Sequence, residues 1–309
     1  TRADIAAGSL GAADGFRILG YETSDRLGDA IFIDPHNSQY MDASGDFNGD
    51  GIADLILGHP LSDLDRVDGG VVYVIYGQTG STRSDVDLNN LGSNGFVIRP
   101  GTLNTNYLGK GVRFAGDFNG DGFDDLVVGA GYADEHGTAN AGEAYVIFGD
   151  GTKPTSDFLL SSLNGTNGFR VYTNDNTAWF GSTVASGGTN GDGLTDLIIG
   201  NTAGDLNGLT DNGGVHVIYG SDAGTPYANI DVDSMASSTG YTVYGPLNSN
   251  FVGHAVDVAG DVDGDGYDDI VFGTWVDDTA GADFARFGVD QAGVGEDQAV
   301  RHCAPPSGS

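Results

Sequence analysis

The chain has almost nothing with which to cross-link itself. Its one cysteine, Cys303, excludes an internal disulfide. That does not argue for the cytosol, because bound metal can staple a secreted chain that lacks disulfides. Basic residues are scarce: 12 Lys and Arg stand against 44 Asp and Glu, a formal net charge of −32, with Lys only at 110 and 153. Nucleic acid and anionic membrane surfaces both require basic patches, so neither is an expected partner, whereas cations are. No apolar run reaches 18 residues, so no helix is expected to insert into a membrane. The serine-hydrolase elbow, His-Glu-x-x-His and the phosphate-binding Gly-x-x-x-x-Gly-Lys pattern are all missing. The six histidines are scattered; His216 is expected as a packed or surface strand residue, and His254 as one lining a central channel. Acid pairs for glycoside hydrolysis cannot be singled out among so many Asp residues. Trp179 and Trp275 are expected to pack at blade ends rather than to stack on sugar.

Glycine, by contrast, is abundant at 53 residues, with frequent Ser, Thr and Asn, which fits a turn-rich all-β chain. Much of it falls in a sentence written four times, at Asp46 to Asp54, Asp117 to Asp125, Gly188 to Asp196 and Asp261 to Asp269. The starts, 46, 117, 188 and 261, are 71, 71 and 73 residues apart. An apolar run ending in glycine follows each: Leu55 to Gly58, Leu126 to Gly129, Leu197 to Gly200 and Ile270 to Gly273. A period of this kind decides the architecture.

The spacing of oxygens within each copy points to a hard cation. Positions 1, 3, 5 and 9 carry side-chain oxygen, position 6 is glycine, and position 7 offers a backbone carbonyl. The first copy supplies Asp46, Asn48, Asp50, the carbonyl of Ile52 and Asp54. The second supplies Asp117, Asn119, Asp121, Phe123 and Asp125. The third, with Gly188 at position 1, keeps Asn190, Asp192, Leu194 and Asp196. The fourth has four carboxylates, Asp261, Asp263, Asp265 and Asp269, with the carbonyl of Tyr267. An EF-hand loop begins in the same way but closes with Glu at position 12 between helices. Here Asp closes at position 9 and a β-type run follows. Calcium is expected over magnesium because many protein oxygens converge. Ligand charge predicts an affinity order of fourth, then first and second, then third, with the third weak or empty. Hairpin turn chemistry accounts for Gly49, Asp50 and Gly51 but not for acids at both ends of the loop.

These residues resemble the FG-GAP repeat of integrin α-subunit propellers and of many bacterial secreted proteins. The family pattern runs Phe-Gly, an alternating strand, the acidic loop, an apolar strand and Gly-Ala-Pro. The second copy reads Tyr107-Leu108-Gly109, Phe114-Ala115-Gly116-Asp117 and Gly129-Ala130-Gly131. Phe180-Gly181 and Phe251-Val252-Gly253 echo the first element, and Gly58-His59-Pro60 the last. The resemblance covers most of residues 15–275. It implies a β-propeller of seven blades with calcium between the first and second strands of a blade. It also implies a secreted or cell-surface adhesion module, with a protein or glycan ligand at blade-end loops or on the face opposite the metal loops. A propeller of a secreted hydrolase or lyase, and a lectin, are the alternatives.

Four strands per unit fit a blade: one before the acidic loop, one after it, a Val-Tyr-Val-Ile-Tyr type and a Gly-Phe type. Four blades are visible, at about 21–99, 100–173, 174–245 and 246–285, after an N-terminal segment at 1–14. The Gly-Phe strand at 15–20 is left over; in a closed ring such a strand completes the last blade and hides its edge. An insert near Pro35 to Tyr40 is expected as a blade-end loop. The fourth blade loses the pattern near residue 285, and 286–309 is expected as a non-repeat, disordered tail. A truncated or frame-shifted product and a divergent end are both compatible with it. The four blades could be part of a larger propeller, an open arc or a closed ring.

Overall fold

Period-two segments bounded by glycine and asparagine become strands, and the strands sort into sheets one repeat at a time. A computed structural model describes residues 16–20, 40–80, 83–134, 138–222, 224 and 226–274, and the backbone of 287–290 and 300–302. Expectations for 1–14, the insert before Tyr40, His36, His136, Trp275 and Cys303 lie outside the described residues.

β1 (Ile18–Leu19) comes first. The first repeat gives β2 (Met41–Asp42), β3 (Leu55–His59), β4 (Val71–Ile75), β5 (Val86–Asp87) and β6 (Gly95–Arg99). The second gives β7 (Leu108–Gly116), β8 (Asp125–Ala130), β9 (Glu143–Ile147), β10 (Phe158–Leu159) and β11 (Gly168–Tyr172). The third gives β12 (Phe180–Gly187), β13 (Asp196–Asn201), β14 (Gly214–Ile218), β15 (Ile230–Asp231) and β16 (Gly240–Tyr244). Then follow β17 (Val252–Gly260), β18 (Asp269–Thr274), β19 (Phe287–Asp290) and β20 (Val300–His302). The last two fall within the segment expected as a tail. Helix among the described residues is confined to three-residue 3-10 turns.

Within a repeat the four main strands pair antiparallel in sequence order, as in β7-β8-β9-β11, giving the up-and-down sheet of a propeller blade. The sequence reading of four strands per unit is one short. A two-residue strand of each following repeat joins the outer edge of the blade before it in parallel, β10 on β6 and β15 on β11. β20 takes the corresponding place on β16. These strands cover edges that would otherwise be open to other chains. By the same rule the leftover strand β1 pairs with β5, and with Phe16 it helps to cover the free face of the first blade. The closed-ring expectation gave it a place in the last blade.

The blades stack face to face. One apolar cluster joins the first and second blades through Ile56, Val74, Val112 and Leu126. Another joins the second and third through Val127, Phe169, Val184 and Ile199, and a third joins the third and fourth through Ile198, Val217, Val256 and Phe272. The middle strands β4, β9 and β14 are therefore buried on both faces, which explains their unbroken apolar runs. Glycine permits the close approach. A Cβ on Gly58 would lie 2.0 Å from the carbonyl oxygen of Gly109, and one on Gly129 would lie 1.7 Å from that of Gly181. Gly200 faces Gly253 in the same way, with 2.3 Å from the added Cβ to the carbonyl oxygen. So the glycine after each of the first three apolar runs, and the Phe-Gly type glycine of the repeat that follows it, are where the backbones of adjacent blades touch. On the inner strands Arg113 of β7 forms an ion pair with Asp257 of β17.

Candidate metal centres in the hairpin loops

The four acidic segments all occupy one place, the turn between the first and second strands of a blade: β2–β3, β7–β8, β12–β13 and β17–β18. Glycines at positions 4 and 6 take the left-handed backbone that the turn needs, as at Gly120 (φ 75°) and Gly122 (φ 91°). Side-chain acceptors then wind the loop inward. The Asp117 carboxylate accepts the N–H groups of Asp121 and Gly122, both at 3.0 Å. Asp46 accepts those of Asp50 at 3.1 Å and Gly51 at 2.6 Å, and Asp261 those of Asp265 at 3.0 Å and Gly266 at 3.1 Å. The position-5 acid accepts the N–H of position 7 in every loop: Asp50 from Ile52, Asp121 from Phe123, Asp192 from Leu194, Asp265 from Tyr267. With Gly188 at position 1, the third loop lacks the acid that closes this arrangement.

Position 9 has a task beyond its expected place as the closing ligand. Asp54, Asp125, Asp196 and Asp269 are buried. Asp125 accepts the N–H of Phe118 at 3.1 Å and that of Gly149, just past β9, at 2.9 Å. Asp54 joins Phe47 to Gly77 and Asp196 joins Thr189 to Gly220 in the same way. Asp269 accepts the N–H of Val262. The carboxylate thus pins the start of the loop, and in the first three repeats also ties it to the end of the third strand. Burial pushes the Asp125 carboxyl up to about 8, and raises Asp54 and Asp196 as well.

Two observations show that the donors suit a hard cation. In the fourth loop, carboxylate oxygens of Asp261, Asp263 and Asp265 lie within 4.8 Å of one another. Oxygens at about 2.3–2.6 Å around one calcium span up to about 5 Å, so the group has the right size. In the first loop Asn48, only 4% exposed, donates its amide to Asp54 and leaves Oδ1 buried with no hydrogen-bond partner. A buried oxygen without a donor is costly, and a cation in the loop would satisfy it. At position 3 elsewhere the oxygen is engaged: Asn119, Asn190 and Asp263 accept the N–H of position 5.

The loops also differ in what surrounds them, which their own sequences do not reveal. Lys153, past the end of β9, forms an ion pair with Asp50 and lies 5.6 Å from the centre of the Tyr76 ring. Its hydrogen bond holds the Asp50 carboxyl below the usual range. At the corresponding side of the second loop stands an acid instead, its Cβ 3.0 Å from where a Cβ on Gly120 would be: Asp222.

At the other end of the inner strands, Tyr107 (φ 60°), Trp179 (φ 55°) and Phe251 (φ 52°) hold matching positions with left-handed backbones. Such φ values are rare for bulky residues. Tyr132 lies between Tyr107 and Trp179, with ring centres 5.1 and 6.0 Å away, and Lys110 Nζ is 4.5 Å from the Tyr132 ring centre. Trp179 packs as expected. His216 is buried in β14, with Nδ1 2.9 Å from Thr242 Oγ1 and Nε2 3.3 Å from Asn201 Nδ2. Burial lowers its pKa to about 4. His254 is half-buried on the inner strand β17.

The family described as FG-GAP repeat matches at residues 42–75, 114–147 and 180–218, each spanning an acidic loop and its flanking strands. A phosphatidylinositol-glycan-specific phospholipase D of Mus musculus is 34% identical over 176 residues, 55% of this chain and 19% of that protein. Integrin alpha pat-2 of Caenorhabditis briggsae is 29% identical over 248 residues, 76% of this chain and 18% of its own length. Integrin alpha-5 of Xenopus laevis is 28% identical over 247 residues, 78% of this chain and 20% of its own. The chain thus spans about a fifth of the length of these curated relatives.

Proposed function

The chain is an FG-GAP repeat protein, and from that premise we propose that it serves outside the cell as a calcium-stapled propeller module that binds a protein or glycan. The observation that carries the reading is the recurrence of one oxygen-donor loop at one place in four consecutive blades. In it, Asp46, Asn48, Asp50 and Asp54 would hold the first ion, and Asp117, Asn119, Asp121 and Asp125 the second. Asp261, Asp263, Asp265 and Asp269 would hold a further one, with Asn190, Asp192 and Asp196 forming a weaker site. The backbone carbonyls of Ile52, Phe123, Leu194 and Tyr267 complete the sets. Bound calcium supplies the positive charge that offsets the repulsion of converging carboxylates. The chain's own residues do the rest: position 1 curls the loop, position 5 turns the backbone at position 7, and position 9 ties the loop to its blade.

The module spans 15–285 in this reading, and its ligand face lies away from the metal loops. Tyr107, Tyr132 and Trp179 are half-buried there, and aromatic residues are favoured anchors of interfaces. Likeness to proteins named integrin alpha supports a binding role. The test is a biosensor bearing the purified chain, exposed in calcium to panels of extracellular-matrix proteins and glycans. Saturable binding, abolished by EDTA and weakened at least about tenfold by Tyr132→Ala, is expected for an aromatic anchor. Silence on both panels together with turnover of a phospholipid or polysaccharide would favour the second reading, a propeller belonging to a secreted hydrolase or lyase. The likeness to a protein named as a phospholipase D is what recommends that alternative.

A further inference from the structure

Each of the first three loops is closed from outside by the repeat that follows it. Position 8 of the next loop reaches the first residue of the loop before. Asp124 accepts the N–H of Asp46 at 2.7 Å, and Asp268 accepts that of Gly188 at 2.9 Å. Between the second and third loops the backbone makes the link, with Thr195 N–H donating to the Asp117 carbonyl at 3.2 Å. Position 7 of the next loop covers the position-4 glycine of the loop before. A Cβ on Gly49 would lie 2.6 Å from the Phe123 ring, one on Gly191 2.3 Å from the Tyr267 ring, and one on Gly120 3.4 Å from Leu194. In the fourth loop no described residue other than the chain neighbours of Gly264 comes within 4 Å of a Cβ on that glycine. At the other end of the series, position 8 of the first loop is Ala53, an exposed residue whose side chain has no carboxylate to reach back with.

Residues 123 and 124 therefore belong to two loops at once. On the reading that these loops take calcium, the carbonyl of Phe123 would be a ligand of the second ion, while its ring lies on the first loop. Asp124 sits between that carbonyl and the pinned Asp125, and its carboxylate fixes the backbone of Asp46. Asp46 is the residue whose carboxylate curls the first loop, and that loop holds the buried Asn48 oxygen awaiting a partner. Whatever orders the backbone at 123–124 also aims Asp46. We propose that Phe123 and Asp124 are positioning residues of the first metal loop, so that filling the second loop strengthens cation binding in the first. By linkage the effect is reciprocal, since a coupling free energy between two sites acts equally on both.

The experiment is a calcium titration of the full chain followed by 1H–15N correlation spectra, with the amides of Gly51 and Gly122 reporting the first and second loops. Silencing the second loop with Asp121→Ala should move the Gly51 midpoint to calcium about tenfold higher, a usual size for coupling between sites. Silencing the first with Asp46→Ala should move the Gly122 midpoint by the same factor. Asp124→Ala should shift Gly51 as Asp121→Ala does. Asp124→Asn, whose amide oxygen still accepts the Asp46 N–H, should restore it to within about twofold. Dispersed spectra identify folded variants, and the exposed Asp121 provides the test should Asp124→Ala fail to fold. A Gly51 midpoint indifferent to Asp121→Ala overturns the coupling while leaving the calcium reading intact, as does a shift without its reciprocal. Spectra that ignore calcium altogether overturn both.

Discussion

His216 shows how a residue type common in catalysis is absorbed by packing. Its ring is enclosed in β14 between Thr242 and Asn201, with the Phe180 ring edge-on at 5.5 Å. Burial depresses its pKa to about 4 from 6.5, so the fold prefers the neutral ring. The stability that follows is fully present above about pH 6.5 and is lost progressively as pH falls from there through about 4, a loss on the order of 3 kcal/mol. Proton-detected titration should find His216 neutral at pH 5; a midpoint near 6.5 would contradict the packing described. Lys153 behaves differently from its loop neighbours because it carries the opposite charge into an acidic loop. Lys153→Met should tighten the first loop for calcium about fivefold, the worth of one partly exposed ion pair. An unchanged affinity would mean that the lysine does not compete. The third loop offers a gain-of-function test. A Cβ on Gly188 would meet only Leu194 O at 3.8 Å and Asp268 Oδ2 at 3.9 Å, so there is room for a side chain. Gly188→Asp restores the missing acid and should strengthen that site about tenfold, since ligand charge sets affinity. Calorimetry that finds no added or tightened site would count against these loops as cation sites. The candidate positions themselves could be read from sequence, because 1, 3, 5 and 9 lie within nine residues of each other. Lys153 could not, because it reaches Asp50 from 103 residues away.

At the scale of the element, the strands that alternate or run apolar over five residues or more were legible in the sequence, since burial on one or two faces writes itself as a period. The parallel clasps β10 and β15 were not. Each is two residues long, and its partner belongs to the preceding blade. No local pattern can announce such a pairing. The recurrence of the glycines was legible as a motif, but its cause was not. Gly129 is glycine because the backbone of the next blade crosses it, a fact of packing rather than of turn chemistry. Gly129→Ala should cost about 3 kcal/mol or more, at the upper end for overpacking, because neither partner is a movable side chain. Denaturant unfolding checks this; a loss below about 1 kcal/mol would mean that the blades slide apart freely.

At the scale of the molecule, the chain is a row of sheets, each too thin to fold alone, joined by apolar clusters between blades and by loop-to-loop links on one side. Its net charge of −32 opposes compaction, and 14 of its 44 acidic residues lie in the four loops. In this account calcium binding in the loops offsets that repulsion and fastens neighbouring blades together, leaving the opposite face to a partner. The repeat made the propeller legible at once. The closing of one repeat's loop by the next was hidden, because it depends on how the blades stack. The most direct measurement is the thermal melt of the purified chain, followed by circular dichroism in EDTA, in millimolar calcium and in millimolar magnesium. Two or more sites filled far above their dissociation constants add several kcal/mol, so calcium should raise the melting temperature by at least about 10 °C and magnesium by much less. Coincident melts in EDTA and calcium would contradict the account, and would reduce the four loops to turns.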